Sequence, residues 1–140
     1  MRDGKRGASV PSLNFQPQFV PAVENGIAEL EGRPLPNPGV RPKRQTIRAL
    51  RKVPIKPGDV LHLFTAMRTK RCRKLGLAKC AQVAAFRISV ASQCSWNSVH
   101  MNLGERTHLA KADGFDDASQ MVDWFERVHG LPFRGVVIRW

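Results

Sequence analysis

The sequence predicts a mainly β domain of the α+β class, closer to a small β-barrel than to alternating βα units. Three segments have the apolar spacing of strands, and they are VLHLFTAM (60–67), CAQVAAFRISV (80–90) and RGVVIRW (134–140). Only DGFDDASQMVDWFERVHG (113–130) has a long helical periodicity, so we expect about two helices packed on the strands. At 140 residues, the chain has enough length for one domain with one core.

The N-terminal third is expected to be irregular in places. Residues 1–10 resemble a flexible basic tail, and SLNFQ (12–16) is a short strand candidate. PQFVPAVENG (17–26) predicts a short helix that begins near Pro17 and stops at Gly26. The following residues, 27–42, contain four prolines and predict a surface loop long enough to be functional.

The rest of the chain predicts most of the sheet and the main helix. KPGD (56–59) predicts a turn, and SWNSVHMNL (95–103) is a further strand candidate. In the helical segment, Met121, Val122, Phe125 and Val128 recur on one side. Acidic residues at 116 and 117 favour the helix N-terminus, and a glycine at 130 followed by a proline at 132 predicts its end.

Several classes of protein are disfavoured by the sequence. No apolar run is long enough for a membrane span, and the N-terminus lacks the apolar stretch of a secretory signal, so we expect a cytoplasmic protein. The three cysteines, at 72, 80 and 94, are odd in number and match no common zinc spacing. The four histidines show no ligand spacing either, so no metal or cofactor is expected.

Positive charge is concentrated in one third of the chain. Between residues 41 and 87 there are 14 Lys or Arg residues and one acidic residue, which gives this stretch a net charge of +13. The remainder has 9 basic and 10 acidic residues. Such segregation favours a polyanionic partner, and phosphate backbones are the commonest one inside cells. A membrane contact is disfavoured, because no amphipathic helix with a bulky apolar face accompanies the charge.

Two basic clusters are the candidate nucleic-acid contacts. KRQTIRALRK (43–52) mixes cations with a threonine and apolar residues, whereas RTKRCRK (68–74) follows a predicted strand. Solvated charged faces or loops are the alternative interpretation for both clusters. The predicted contacts are Lys43, Arg44, Arg48, Arg51, Arg68, Lys70, Arg71, Arg73 and Lys74.

Several motifs follow one another along the chain: KRQTIR, then KPGD, LFTAMRTKRCRKLG, a DGF that opens a helix, and a final GLPFRGVVIRW. Their order and spacing together resemble an ASCH-domain protein of the phage or prophage type. The resemblance covers about 125 residues and implies a PUA-like β-barrel whose cleft is associated with RNA or modified nucleobases. Some members of that family are amidohydrolases that remove the acetyl group of N4-acetylcytidine.

Carried onto this sequence, the hydrolase pattern places Lys43, Thr46 and Asp113 at the reactive site. A threonine hydroxyl needs a nearby base, and neighbouring cations favour the neutral form of Lys43 that can act as one. Positions 43 and 46 face opposite ways in a regular strand, so this chemistry requires a break near residues 44 and 45. Thr46 as an ordinary strand residue and Asp113 as a turn residue are the structural alternatives.

We therefore expect a nucleic-acid-binding domain, with RNA or a nucleoside as the partner, whose basic cleft accepts a nucleotide or modified base. The alternative is a small amidohydrolase that deacetylates N4-acetylcytidine-type nucleosides. Base stacking is conceivable for Trp96, Trp124 and Trp140, although the sequence favours packing for the last two.

Overall fold

A computed structural model describes residues 11–140, so the predicted tail at 1–10 lies outside the described residues. The strands are β1 (Ser12–Phe15), β2 (Gln45–Ala49), β3 (Val60–Thr65), β4 (Arg73–Lys79), β5 (Gln82–Ile88), β6 (Cys94–Trp96), β7 (Val99–His100) and β8 (Phe133–Arg139). A 3-10 turn (Pro17–Phe19) leads into helix α1 (Val20–Leu30), and α2 (Leu103–Ala112) and α3 (Ala118–His129) separate β7 from β8.

The strands form two sheets rather than the closed barrel that the sequence suggested. Within the described residues, one sheet has the order β1-β3-β4, with β1 parallel to β3, and the other has the order β2-β8-β5-β6-β7. The coarser prediction of a β-rich α+β domain is confirmed. Three α-helices occur in this part of the chain, where about two were expected.

The predicted C-terminal strand forms as β8 and lies between β2 and β5 in the larger sheet. It pairs antiparallel with both β2 and β5. Gly135 fits where β8 passes β2, because a Cβ atom there would lie 2.1 Å from the carbonyl oxygen of Arg48. Trp140 follows the strand and packs edge-on against Phe15 at 6.1 Å, which links the two sheets through the core.

Helix α1 continues past Gly26, so the predicted stop at that residue is wrong. The glycine serves a close approach instead: a Cβ atom at Gly26 would lie 2.0 Å from the carbonyl oxygen of Lys43. The proline-rich loop therefore begins only after Leu30. The loop is tied to the helix by buried Asn25, whose side chain hydrogen-bonds the backbone of Asn37 and Val40.

Helix α3 and the KPGD turn agree with the sequence prediction. Asp117 caps the helix by accepting a hydrogen bond from the Gln120 amide at 2.8 Å, and Gly130 ends it with a positive φ of 78°. Met121, Val122 and Phe125 are buried, while Val128 is half exposed. Within residues 11–140, no helix combines the length and apolar character needed to cross a membrane.

Helix α2 and strand β4 had not been predicted. Only Leu109 and Ala110 of α2 are buried, so the helix has no clear apolar face. A capping box defines its start: the Asn102 side chain accepts from the Glu105 amide, and the Glu105 side chain accepts from the Asn102 amide. Strand β4 follows basic residues that resemble a loop, and its pairing with β3 makes it a strand.

Candidate functional site

A cavity of about 290 Å³ lies where the ends of β1 and β2 meet helix α3. The three residues predicted to be catalytic, Lys43, Thr46 and Asp113, all line it. Aromatic side chains form much of the remaining wall, together with a second cation and a histidine. These further residues include Phe15, Phe19, Arg48, Phe115, Trp124, Phe125 and His129.

A buried ion pair forms the floor of this cavity. The Nζ atom of Lys43 lies 3.1 Å from Oδ1 of Asp113 and also donates to the Asp113 backbone carbonyl. Both side chains are almost fully buried, at 2% and 6% exposure. The Lys43 backbone amide donates to the Ala22 carbonyl at 2.8 Å, so helix α1 holds the lysine in place.

Burial favours the neutral form of both partners. It lowers the pKa of Lys43, and the charge of Arg48 lowers it further, while attraction to Asp113 opposes the shift. Burial likewise raises the pKa of Asp113 against the attraction of Lys43. The influence of neighbouring cations on the pKa of Lys43 is thus smaller than that of burial, and it comes from Arg48.

The strand that carries Thr46 begins at Gln45, so Lys43 and Arg44 lie before it. Strand alternation therefore does not force Lys43 and Thr46 onto opposite faces, and both reach the same cavity. The Thr46 hydroxyl oxygen accepts a hydrogen bond from Nε of Arg48 at 2.9 Å. A positively charged hydrogen-bond donor therefore already contacts the oxygen that would be the nucleophile in the hydrolase pattern.

Arg48 connects the cavity to its rim. Its guanidinium donates to the Asn14 carbonyl at 2.7 Å and lies 4.9 Å from the centre of the Phe15 ring. Burial lowers the pKa of Arg48 to about 10, against the attraction of Asp113 and with a smaller contribution from the charge of Arg51. Arg48 remains cationic at neutral pH, and exposed Arg51 adds positive potential beside it.

The second basic cluster divides between the cavity rim and other surfaces. Arg68, Lys70 and Arg71 are exposed in the turn between β3 and β4. This turn borders the cavity, because the Met67 amide donates to the side chain of Asn14, a cavity-lining residue, at 2.9 Å.

The remaining predicted contacts have partners within the protein. Arg73 pairs with Glu24 at 3.1 Å, and Lys74 lies 2.9 Å from the ring nitrogen of His62. Arg44 binds the Trp140 carbonyl and Glu29 outside the cavity. The structure therefore brings Lys43 and Arg48 together in the cavity, places the start of the β3–β4 turn beside it through Asn14, and leaves these three cations elsewhere.

Several site residues were missed by sequence reasoning. Trp124 had been interpreted as packing, yet it both packs on Phe115 and lines the cavity. His129 stacks on Phe125 with an interplanar angle of 20° on the same wall. The sequence spacing places Trp124 and His129 on or next to the apolar face of α3. The cavity beside that face is visible only in the folded structure.

The other candidates noted in the sequence lie outside this cavity. Trp96 is half-buried beneath the Arg139 guanidinium, 4.7 Å from the ring centre, and borders a larger groove that contains none of the predicted site residues. Cys72 is exposed, whereas Cys80 and Cys94 are buried, and all three are free thiols. Among residues 11–140, no group of three or more His, Cys, Asp or Glu side chains could hold a metal ion.

Comparison of the chain with protein-family models, curated proteins and solved structures finds no match. The interpretation of the cavity therefore rests on its own geometry.

Proposed function

We propose that this chain binds RNA or a nucleoside and receives a base in the cavity above Lys43. The observation that supports this most directly is the combination of a buried lysine, a cavity-lining arginine and aromatic walls in one small cavity. At about 290 Å³ it lies at the lower end of ligand pockets, which suits a base better than a large cofactor. Aromatic faces such as Trp124 are suited to stacking on a base.

The rim supports a path for the phosphate backbone. Arg48 contacts the Asn14 carbonyl, and the basic β3–β4 turn begins at Met67, which contacts the Asn14 side chain. A base that enters the cavity would thus bring its phosphates near exposed cations. An RNA ligand is in keeping with the cytoplasmic location expected from the sequence. Membership of the ASCH type of PUA-like domain belongs to the same proposal, and its support is that three residues of that pattern meet at one cavity.

A pair of valine substitutions tests whether the base enters this cavity. Val128 lines the cavity and is 48% exposed, so Val128→Trp narrows the opening with little disturbance of the core. Val90 is 74% exposed and does not line the cavity, so Val90→Trp is the matched control. We expect Val128→Trp to weaken binding of a labelled single-stranded RNA about tenfold, since stacking contributes about 1–3 kcal/mol per base. Equal affinities of the two variants in fluorescence anisotropy would exclude the cavity as the base site.

The second candidate function is amide hydrolysis in the same cavity. It is favoured by the joint placement of Lys43, Thr46 and Asp113, and by the burial that promotes proton transfer from Lys43 to Asp113. That transfer leaves the net charge of the pair unchanged and produces the neutral amine that a base requires.

In this reaction the Thr46 oxygen would bond to the acyl carbon while the amide C–N bond breaks. The hydroxyl proton would pass through Lys43 to the leaving nitrogen, and Arg48 would stabilise the charge on the attacking oxygen. Water would then hydrolyse the threonine ester, giving a carboxylate and restoring the hydroxyl.

An assay that measures deacetylation of N4-acetylcytidine by chromatography tests this candidate. We expect Thr46→Val to lose activity about a hundredfold or more, whereas Thr46→Ser keeps a measurable rate because it retains the hydroxyl. Equal rates for the wild type and Thr46→Val would remove Thr46 from the chemistry. Absence of turnover by the wild type leaves RNA binding as the function to be tested by the valine pair.

A further inference from the structure

Gln45 is a fully enclosed amide between the Lys43–Asp113 pair and the opposite side of the sheet. It is 2% exposed, and both ends of its side chain have hydrogen-bond partners. The Nε2 group donates to Oδ1 of Asp113 at 3.2 Å and to the Leu109 carbonyl at 3.3 Å. Its Oε1 atom accepts from Nε of Arg139 at 3.1 Å.

The chemistry of these partners fixes the orientation of the amide. The Leu109 carbonyl can only accept a hydrogen bond, so the NH₂ group must face Leu109 and Asp113. Arg139 can only donate, so the oxygen must face Arg139. Rotation of the amide by 180° would place its NH₂ group against the donor Arg139. It would also place its oxygen against two acceptors, the Leu109 carbonyl and the Asp113 carboxylate. Leu109 and Arg139 together therefore decide which end of Gln45 meets the carboxyl group.

We propose that Gln45 is a positioning residue that, oriented by Arg139, aims the Asp113 carboxyl group at Lys43 and favours its charged form. A hydrogen bond donated to a carboxylate stabilises the ionised state. Gln45 thus opposes the effect of burial and keeps the shared proton on Lys43 in the resting protein. Three other ionisable groups line the cavity around Asp113, and they are Lys43, Arg48 and His129.

This arrangement explains why a glutamine occupies the position between Arg44 and Thr46. A smaller apolar residue there would leave Asp113 with Lys43 as its remaining side-chain partner. The consequence for a bound ligand rests on the proposed function, because it requires Asp113 and Lys43 to act at the ligand. The effect on protonation does not, and it is measurable in the free protein.

The test follows Asp113 by NMR titration of its carboxyl carbon in the full chain. Gln45→Met keeps the length of the side chain but removes all three of its hydrogen bonds, and we expect Asp113 to titrate at a higher pH than in the wild type. Gln82→Met is the matched control, because Gln82 is an exposed amide that also accepts from Arg139, at 3.4 Å, without a hydrogen bond to Asp113. We expect no change of the Asp113 midpoint in this control.

A folded Gln45→Met protein with an unchanged Asp113 midpoint would overturn the proposal. If Gln45→Met does not fold, Arg139→Met decides, because Arg139 is half-buried and its loss removes the charged donor that holds and polarises the amide, which weakens the hydrogen bond of Gln45 to Asp113. We expect the midpoint to rise there too, and an unchanged value again contradicts the role.

Activity provides a second, separable measurement. If the site hydrolyses N4-acetylcytidine, we expect Gln45→Met to raise the rate, because a higher pKa of Asp113 favours proton transfer from Lys43 and populates the neutral amine that acts as the base. A shifted Asp113 midpoint without turnover in the wild type would support the positioning role and contradict hydrolysis. An unshifted midpoint with normal turnover would do the reverse.

Discussion

Lys43 and Asp113 lie 70 positions apart in the sequence, and each is the other's ion-pair partner in the core. Removing two charges from water is costly, and a single contact rarely recovers the full cost. The pair is therefore weak support for stability and a strong indication of a site, because buried groups with opposed pKa shifts cluster where proteins bind or react. The cavity above the pair agrees with that interpretation.

Replacing the lysine alone should destabilise the protein in a pH-dependent way. In Lys43→Met, Asp113 stays buried without its cation, and we expect a loss of about 3–5 kcal/mol in the free energy of unfolding at pH 7. The pKa of Asp113 is raised in the folded state, so the folded protein holds this proton more tightly than the unfolded chain does. The stabilisation that results is complete below the ordinary pKa of 3.8 and is lost as the pH rises.

The deficit of Lys43→Met should accordingly shrink as the pH falls from 7 towards 4, by about 1.4 kcal/mol per unit at most. Urea denaturation at several pH values measures it. Lys52→Met, at an exposed lysine, is the control and should change stability by about 0.5 kcal/mol or less. A deficit independent of pH would show that Asp113 does not carry the cost.

Replacing both partners should have the opposite effect on stability. We expect Lys43→Met with Asp113→Leu to be as stable as the wild type at pH 7 or more stable by about 1–4 kcal/mol, because neither charge of the pair is left buried without its partner. The same double variant should bind or turn over ligand far less well. A double variant less stable than Lys43→Met alone would contradict this account of the pair.

At the scale of elements, helix α1 positions the lysine through a glycine. The helix approaches the chain before β2 so closely that a Cβ atom at Gly26 would lie 2.0 Å from the Lys43 carbonyl oxygen. The sequence pattern assigned this glycine to the end of the helix, since glycine commonly follows a helix. Close packing between elements outweighs that local preference here.

Gly26→Ala should therefore destabilise the protein although alanine favours helices. We expect a cost of about 1–3 kcal/mol from the forced shift of α1, together with weaker ligand binding as Lys43 moves. Gly104→Ala in α2 is the matched control. Only the Asn102 side chain would meet the added methyl group, at 3.4 Å, so a gain of up to about 1 kcal/mol is expected. Thermal unfolding of both variants measures the difference, and equal shifts would contradict the close approach.

Helix α2 shows why an element can be absent from the sequence pattern. It buries little beyond Leu109 and Ala110, so apolar residues do not recur along one face. Its start depends on the reciprocal bonds of Asn102 and Glu105, and it ends at Asp113, which caps it. The site acid thus lies at the end of a helix that the sequence pattern did not predict.

At the scale of the whole molecule, the segregated charge is only partly gathered around the cavity. Arg48 and the β3–β4 turn border it, whereas Arg73 and Arg44 are paired with acidic residues of α1. The sequence could locate the charge along the chain but not around the surface. We therefore expect phosphate binding to depend on the cations of the turn and not on the paired cations.

Two charge-matched double variants test this distribution. Lys70→Gln with Arg71→Gln removes two exposed cations of the turn, and we expect the salt dependence of RNA affinity to become shallower by about 1.4 in the log–log slope. Lys56→Gln with Lys79→Gln removes the same charge near the opposite end of the β3–β4 pair, about 17 Å away along the strands. That control should keep the wild-type slope. Equal slopes in the two doubles would show that the turn is not the phosphate contact.

The sequence by itself determined the strands with clear alternation, the amphipathic helix α3 with its end signals, and the concentration of cations between residues 41 and 87. These features follow from local periodicity and composition, which need no knowledge of distant contacts. Only the tertiary structure decided that Lys43, Thr46 and Asp113 share a cavity, that Gln45 joins them to Arg139, and that Gly26 lies inside a helix. Each depends on which elements pack together, because burial, pairing and close approach are set by residues far apart in the chain.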